Sequence, residues 1–119
     1  MNNFRNMWDF EVKQGVDFIH CNRVHPLMQT RVQQVLEELR QDPNIKKIVL
    51  FGSSLEFRCG SYSDIDLYIE KKDPALPLRT EPVLDCELDI VMDLEHENRF
   101  YKQIDHTGLL LFEREMEDV

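Results

Sequence analysis

Two aspartates one residue apart, Asp64 and Asp66, are the clearest candidates for chemistry in the chain. They open a segment in which polar and apolar residues alternate, as in a β-strand with one buried face. Side chains two residues apart on a strand point to the same side, about 7 Å apart along the chain. Two carboxylates so placed repel each other unless a cation separates them, and oxygen-only ligands suit Mg²⁺. The pair therefore predicts a magnesium site on the strand face that points away from the core.

A glycine-serine turn, Gly52-Ser53, precedes the aspartates and follows the apolar run 48–51. Glycine lets the backbone approach a phosphate closely, and a helix that starts behind the turn offers free N–H donors. The Ser53 hydroxyl can bond a terminal phosphate oxygen. The turn therefore predicts a phosphate site beside the predicted metal site.

A third carboxylate on a neighbouring strand would complete a site for two metal ions, which lie about 4 Å apart in such centres. Asp89 is the preferred candidate, because it lies in the alternating segment 88–92 on the face away from the core. Asp85, Glu87 and Asp93 share its parity and stay open as alternatives. Each of these residues could instead be an ordinary solvated surface residue.

The elements that must position these residues follow from the apolar periodicity. Residues 26–40 predict a helix with Pro26 in its first turn and a single apolar face. The apolar side chains on that face are Met28, Val32, Val35, Leu36 and Leu39. Residues 48–51 predict a buried strand, and residues 55–59 predict a short helix.

The second half of the chain predicts further strands and one more helix. Residues 64–70 and 88–92 alternate as strands, and the proline-containing segment 71–82 connects them. Residues 95–105 predict a helix with Phe100 and Ile104 on its buried side. A last short strand over residues 109–112 follows that helix.

The chain has 119 residues, a length that suits one domain. Residues 1–22 show only weak periodicity, so we interpret them as an N-terminal extension that precedes a domain over residues 23–119. The 23 acidic and 14 basic residues give a formal net charge of −9. Because such a chain repels a phosphate backbone, we expect no direct binding of nucleic acid, and a basic partner protein or a small metal-borne ligand fits better.

Cysteine usage and hydropathy bear on the compartment. Cys21, Cys59 and Cys86 are odd in number and contain no Cys-x-x-Cys pair, which indicates reduced thiols in a cytosol. The sequence has no apolar run of about 18 residues or more, so it predicts no membrane-spanning helix. Residues 1–10 lack the pattern of a signal peptide. We therefore expect a cytoplasmic protein.

Phe51-Gly52-Ser53, ten further residues and then the Asp-Ile-Asp-Leu segment 64–67 form a recognisable pattern. It resembles the signature of the polymerase-β-like nucleotidyltransferase superfamily, and in detail that of the minimal nucleotidyltransferases. Segments 88–91 and 104–112 are similar to that family's third acidic strand and to its closing helix, glycine and strand. The resemblance covers about residues 26–114. It implies a nucleotidyltransferase fold, an α/β (α+β) arrangement in which helices flank a small mixed β-sheet.

The resemblance also implies a reaction. ATP would bind with two Mg²⁺ ions, an acceptor hydroxyl would attack the α-phosphate, and pyrophosphate would leave. Asp64, Asp66 and Asp89 would hold the metal ions, and Asp89 could take the acceptor's proton. The residues that would hold the nucleotide are Gly52, Ser53, Ser54 and Arg58. Arg58 could equally be a surface salt-bridge partner.

Minimal nucleotidyltransferases commonly work beside a helical HEPN-type RNase toxin, to which they transfer AMP on a tyrosine. The resemblance thus implies an antitoxin of a toxin–antitoxin system that acts on a HEPN-type partner. Two alternatives stay open: a non-catalytic module that neutralises a partner by contact, and a nucleotidyltransferase for small molecules. The latter would need an acceptor pocket from a homo-oligomer or a partner.

Overall fold

The computed structural model describes residues 9–56, 59–60 and 64–114, and in these it is an α+β fold. Its helices and strands are α1 (Pro26–Leu39), β1 (Ile45–Phe51), β2 (Ile65–Lys71), β3 (Leu88–Met92), α2 (Arg99–Thr107) and β4 (Leu109–Glu113). Short 3₁₀ turns cover Cys21–Arg23 and Gly52–Leu55. Across this described part, no helix has the length and apolar character needed to cross a membrane. The predicted class, a small mixed sheet with flanking helices, is confirmed.

The four strands form one sheet in the order β3-β2-β1-β4. Strand β1 is antiparallel to both β2 and β4, whereas β2 and β3 are parallel. In this register Asp66 lies opposite Phe51 on one side and opposite Asp89 on the other. The sheet therefore brings three segments that are distant in sequence to the same place.

Helix α1 covers one face of the sheet. Its apolar side chains are buried, as predicted, against core-facing residues of the strands such as Ile48, Leu50 and Leu67. The helix begins where Pro26 suits the first turn, and the His25 side chain caps it by accepting a hydrogen bond from the Leu27 N–H. Burial of an amphipathic helix face thus supplies the larger core.

Helix α2 covers part of the opposite face, and here one prediction is wrong. The periodicity places Phe100 on the buried side, but Phe100 is 42% exposed, whereas Tyr101 and Ile104 are buried. The helix begins at Arg99 because Asn98 caps it, accepting hydrogen bonds from the N–H groups of the second and third helical residues. This start turns Tyr101 and Ile104, three residues apart, toward the sheet.

The beginning of β1 and the short helix also differ from expectation. Strand β1 begins at Ile45 instead of residue 48, because Ile45 is fully buried and pairs with Lys71 of β2. Two intervening lysines mask this register in the sequence. The predicted helix over 55–59 is replaced by the 3₁₀ turn Gly52–Leu55, after which residues 57–58 lie outside the described part.

The described part of the predicted N-terminal extension packs along α1. Gln29 is fully buried, and its side chain accepts from the Lys13 N–H at 2.8 Å and donates to the Glu11 carbonyl at 2.9 Å. One helical turn later, Gln33 makes the same pair of hydrogen bonds to the N–H of Asp17 and the carbonyl of Gly15. These two glutamines fasten residues 11–17 to the helix, while the division at residue 22 stays a prediction.

The long connection between β2 and β3 is held on the other flank of α1 and just beyond its end. Arg31 pairs with Asp85, and Gln34 donates to the Val83 carbonyl. Asp42, only 1% exposed, accepts hydrogen bonds from the N–H groups of Arg79 at 2.6 Å and Thr80 at 3.2 Å. These contacts fix where β3 begins.

We expect Asp42→Asn to lower the free energy of unfolding by about 1–3 kcal/mol at pH 7. Burial raises the pKa of Asp42, but backbone N–H donors, including that of Asn44, outweigh it and lower the pKa below its ordinary 3.8. The stabilisation is therefore complete above that value and is lost as the pH falls through the folded-state pKa. Denaturant unfolding of wild type and variant should converge once the pH lies below that folded-state pKa. The exposed Glu81 offers a control, Glu81→Gln, which should leave stability unchanged. An equal midpoint for Asp42→Asn at pH 7 would contradict the assignment.

Candidate active site

Four carboxylates meet at one end of the parallel strand pair. Asp66 in β2 and Asp89 in β3 are direct neighbours in register, and Asp64 and Glu87 lie two residues before them. Carboxylate oxygens of Asp64, Glu87 and Asp89 all lie within 4.8 Å of one another. Asp66 is not part of this group of three, but its side chain interacts with that of Asp89 beside it. Glu87 therefore joins Asp89 instead of replacing it.

The strand pairing explains this convergence. The Ile65 N–H donates to the Glu87 carbonyl at 2.9 Å, and the ladder continues from Leu88 onward. Because parallel strands in register keep equivalent side chains on the same face, the acidic residues of both strands point away from α1. Ile65 and Leu67 point the other way and are buried in the larger core. In the sequence, the alternation of acidic and apolar residues over 85–89 is the signal for Glu87.

The remaining two alternatives for the third carboxylate have other roles. Asp85 forms a two-pronged ion pair with Arg31, with distances of 2.7 and 3.2 Å. Asp93 accepts a hydrogen bond from the Lys71 backbone N–H at 2.8 Å and lies 3.6 Å from the Lys71 ammonium group. Both side chains therefore hold the ends of β3 and lie outside the carboxylate cluster, which we define as Asp64, Asp66, Glu87 and Asp89.

The electrostatics of the cluster favour a bound cation. Burial, together with the charges of Asp89 and Asp64, raises the pKa of Asp66. Among residues 9–56, 59–60 and 64–114, no lysine, arginine or histidine forms an ion pair with any member of the cluster. An all-carboxylate donor set without a protein counter-ion fits Mg²⁺ or Mn²⁺ and does not fit soft metals.

Glu70, another acidic residue of β2, has partners within the protein that offset its charge. It lies on the same face of β2 as Asp66, four residues further on. Burial raises the pKa of Glu70, but hydrogen bonds from His96 and Tyr68 and the positive charge of Lys47 lower it below its ordinary value. The His96 Nε2 atom lies 2.9 Å from the Glu70 carboxylate. Glu70 therefore has positively charged and hydrogen-bonding partners, whereas Asp66 has no ion-pair partner among residues 9–56, 59–60 and 64–114.

Gly52 permits the close packing of the Gly-Ser turn on Asp66. Its φ angle is +85°, a conformation that favours glycine. A Cβ atom at this position would collide with the Asp66 carboxylate, whose Oδ2 and Cγ atoms are its nearest neighbours. The absence of a side chain thus lets the turn and the carboxylate cluster adjoin.

The two serines of the turn occupy different environments. Ser53 is partly exposed, whereas Ser54 is fully buried. Within the part of the chain that the structure describes, the Ser54 hydroxyl has no hydrogen-bond partner. The backbone carbonyl of Ser54 accepts a hydrogen bond from the His25 N–H at 2.8 Å. Ser54 therefore ties the turn to the start of α1, and its predicted contact with a nucleotide stays a prediction. Arg58, the other predicted nucleotide-binding residue, lies outside the described residues.

The sequence does not predict an aromatic pair that lies beside the cluster. Phe51 lies opposite Asp66, and its ring meets that of Phe100 edge-to-face, with centroids 5.8 Å apart and planes at 86°. The sequence pattern indicates only a buried strand for Phe51 and a core position for Phe100. Periodicity carries no signal for a contact between β1 and the first turn of α2.

We expect Gly52→Ala to weaken binding of a divalent cation by about tenfold or more, because the added methyl group displaces Asp66. The left-handed backbone alone should cost about 1–2 kcal/mol of stability. Gly15→Ala is a matched control, since Gly15 has φ +90° but open space within 4 Å of the point that its Cβ would occupy. Titration with Mn²⁺, followed by its paramagnetic signal, should show loss of affinity in Gly52→Ala only. Equal affinities in both variants would contradict the close approach.

We also expect Asp66→Asn to stabilise the metal-free protein at pH 7, because it removes one charge from a repelling cluster. The melting temperature should rise by about 2–5 °C without Mg²⁺. Added Mg²⁺ should raise the melting temperature of wild type and of the control Glu97→Gln, but not that of Asp66→Asn. A destabilised variant in metal-free buffer would show that the carboxylates do not repel one another.

Comparison with known proteins agrees with this geometry. A family model described as polymerase beta, nucleotidyltransferase, matches residues 33–117. That range contains the Gly-Ser turn, all four carboxylates and every strand of the sheet. Searches of curated proteins and of solved structures gave no match. The fold, the cluster and the matched range together show that the chain belongs to the polymerase beta nucleotidyltransferase family.

Proposed function

We propose that the protein transfers AMP from ATP to a hydroxyl group in a magnesium-dependent reaction, with a tyrosine of a HEPN-type partner as the acceptor. Membership of the nucleotidyltransferase family supports nucleotidyl transfer in general. The observation that carries the proposal is the carboxylate cluster, which adjoins the Gly52 turn and has no ion-pair partner among the residues that the structure describes. This arrangement suits a substrate that arrives with its own cations.

The position of each carboxylate determines its role in the proposed reaction. Asp66 on β2, Asp64 immediately before that strand and Asp89 on β3 would hold two Mg²⁺ ions. Glu87 is near enough to contribute an oxygen. Bound Mg²⁺ would neutralise charge on the phosphates and lower the pKa of the attacking hydroxyl. Asp89 is exposed, so it can also accept the proton that the acceptor loses.

The bond changes balance without a further reactant. The acceptor oxygen forms a bond to the α-phosphorus of ATP, and the bond from that phosphorus to the bridging oxygen breaks. Pyrophosphate leaves with the electron pair, and the acceptor's proton passes to Asp89 or to water. The backbone of Gly52 and the hydroxyl of Ser53 would hold the departing β- and γ-phosphates.

A protein acceptor fits the shape and charge of the site. Asp89 on the edge strand β3 and Glu87 immediately before that strand are exposed, so a large partner can approach from that side. The net charge of −9 favours a basic partner through long-range attraction. These features support a macromolecular acceptor, and the proposed HEPN-type identity rests on the resemblance to minimal nucleotidyltransferases.

The proposal is tested by incubating the purified chain with Mg²⁺, ATP and a helical HEPN-type protein. Mass spectrometry should find one AMP added to the partner, on a tyrosine. The double variant Asp64→Asn/Asp66→Asn should lower the rate of AMP transfer by at least about a thousandfold, because two of the proposed cation ligands are lost. The matched double variant Glu95→Gln/Glu97→Gln removes two exposed carboxylates and should keep the rate.

Two outcomes would contradict the proposal. An absence of AMP on the partner with the wild-type chain, under Mg²⁺ and ATP, would reject this acceptor. Full neutralisation of the partner by Asp64→Asn/Asp66→Asn would instead favour a module that acts by contact alone. Turnover of small alcohols or amines by the wild-type chain would favour a small-molecule acceptor.

A further inference from the structure

Phe100 is a large apolar side chain that the fold does not use as core. It is 42% exposed, although it belongs to the first turn of α2, whose next residue, Tyr101, is buried. Tyr101 and Ile104 already fill the space above Val49 and Tyr68 in the smaller core. A single exposed apolar residue needs no explanation in general. The position of Phe100 beside the carboxylate cluster gives this one significance.

The Phe51 ring connects Phe100 to the cluster. Phe51 lies directly opposite Asp66 in the antiparallel ladder, a position that separates facing Cβ atoms by about 5 Å. The ring of Phe100 lies one edge-to-face contact further on, with its centroid 5.8 Å from that of Phe51. Phe51 therefore borders the cluster where the Gly-Ser turn begins, and Phe100 lies one ring contact beyond it.

The edge-to-face contact orients the pair. Phe51 is half-buried and packs against the smaller core, so its own position is fixed. At 86°, the contact uses the edge of one ring and a face of the other, which holds Phe100 in a defined orientation while leaving much of its surface open. A fixed, exposed aromatic ring is what a planar ligand group needs for stacking.

We propose that Phe100, oriented by its contact with Phe51, is a stacking platform for the base of the bound nucleoside triphosphate. The inference rests on the proposed function, because it needs the triphosphate at the turn and the cluster. With the phosphates held at Gly52 and the carboxylates, the nucleotide would lie beside Phe51, which is opposite Asp66 in the sheet. The platform would bind the base by stacking and by apolar contact.

The free energy of stacking depends on the size of the base and does not depend on its hydrogen-bonding groups. The platform should therefore favour purine over pyrimidine triphosphates and discriminate weakly between ATP and GTP. This expectation concerns the base preference only and leaves the choice of acceptor untouched.

Calorimetric titration of the purified full chain in Mg²⁺ tests the platform with two probes, ATP and inorganic tripolyphosphate. The wild-type chain should bind ATP at least about fivefold more tightly than tripolyphosphate, a ratio equivalent to about 1 kcal/mol. Phe100→Ala should abolish that difference and leave the affinity for tripolyphosphate unchanged. Phe100→Tyr should retain the preference, and so should Leu110→Ala, since Leu110 is a comparably exposed apolar residue at 39%.

Each other result overturns the platform. Equal binding of ATP and tripolyphosphate by the wild-type chain would exclude a contribution from the base. A parallel loss of both affinities in Phe100→Ala would indicate a structural role for the ring. If neither probe bound the wild-type chain, the proposed function itself would fail, which separates that failure from the loss of the base contact alone.

Discussion

Mutual repulsion between carboxylates is the constraint on which the rest of the structure depends. Asp66 and Asp89 are held side by side by the parallel pairing of β2 and β3, and Asp64 and Glu87 lie two residues before them. Burial and the neighbouring charges raise the pKa of Asp66, so the metal-free fold carries an unfavourable interaction. The remainder of the domain must therefore hold these strands in place against that repulsion.

Helix α1 supplies much of that support through polar contacts on two flanks. Gln29 and Gln33 fasten the N-terminal segment, and Arg31 holds Asp85, two residues before Glu87. The start of β3 is thus fixed by an ion pair that belongs neither to the cluster nor to the main core. Directional hydrogen bonds suit this purpose, because apolar burial alone does not define the register of a connecting segment.

The face of the sheet opposite α1 is divided between stability and chemistry. Near α2, Tyr68 is buried and Glu70 is neutralised by His96 and lysine, so these strand residues stabilise the fold. Toward the Gly-Ser turn, Asp66 on the same face has no protein counter-ion among the described residues. Phe100 of α2 is exposed nearby, beside Phe51. The difference within one strand arises from what α2 covers, because alternation places Asp66, Tyr68 and Glu70 on the same side.

Local pattern in the sequence determined the strands, the amphipathic helix α1 and the aspartate pair, since alternation and helical periodicity directly reflect burial on one face. The local pattern also predicted the Gly-Ser turn, whose glycine lies against Asp66 in the structure. Only the tertiary structure decided which of the acidic residues over 85–93 lie in the cluster. Alternation along a strand predicts which face a side chain occupies, but it does not predict which residue that side chain contacts. The exposure of Phe100 and the anchoring role of Asp42 depend likewise on contacts between segments far apart in the chain, which no local periodicity encodes.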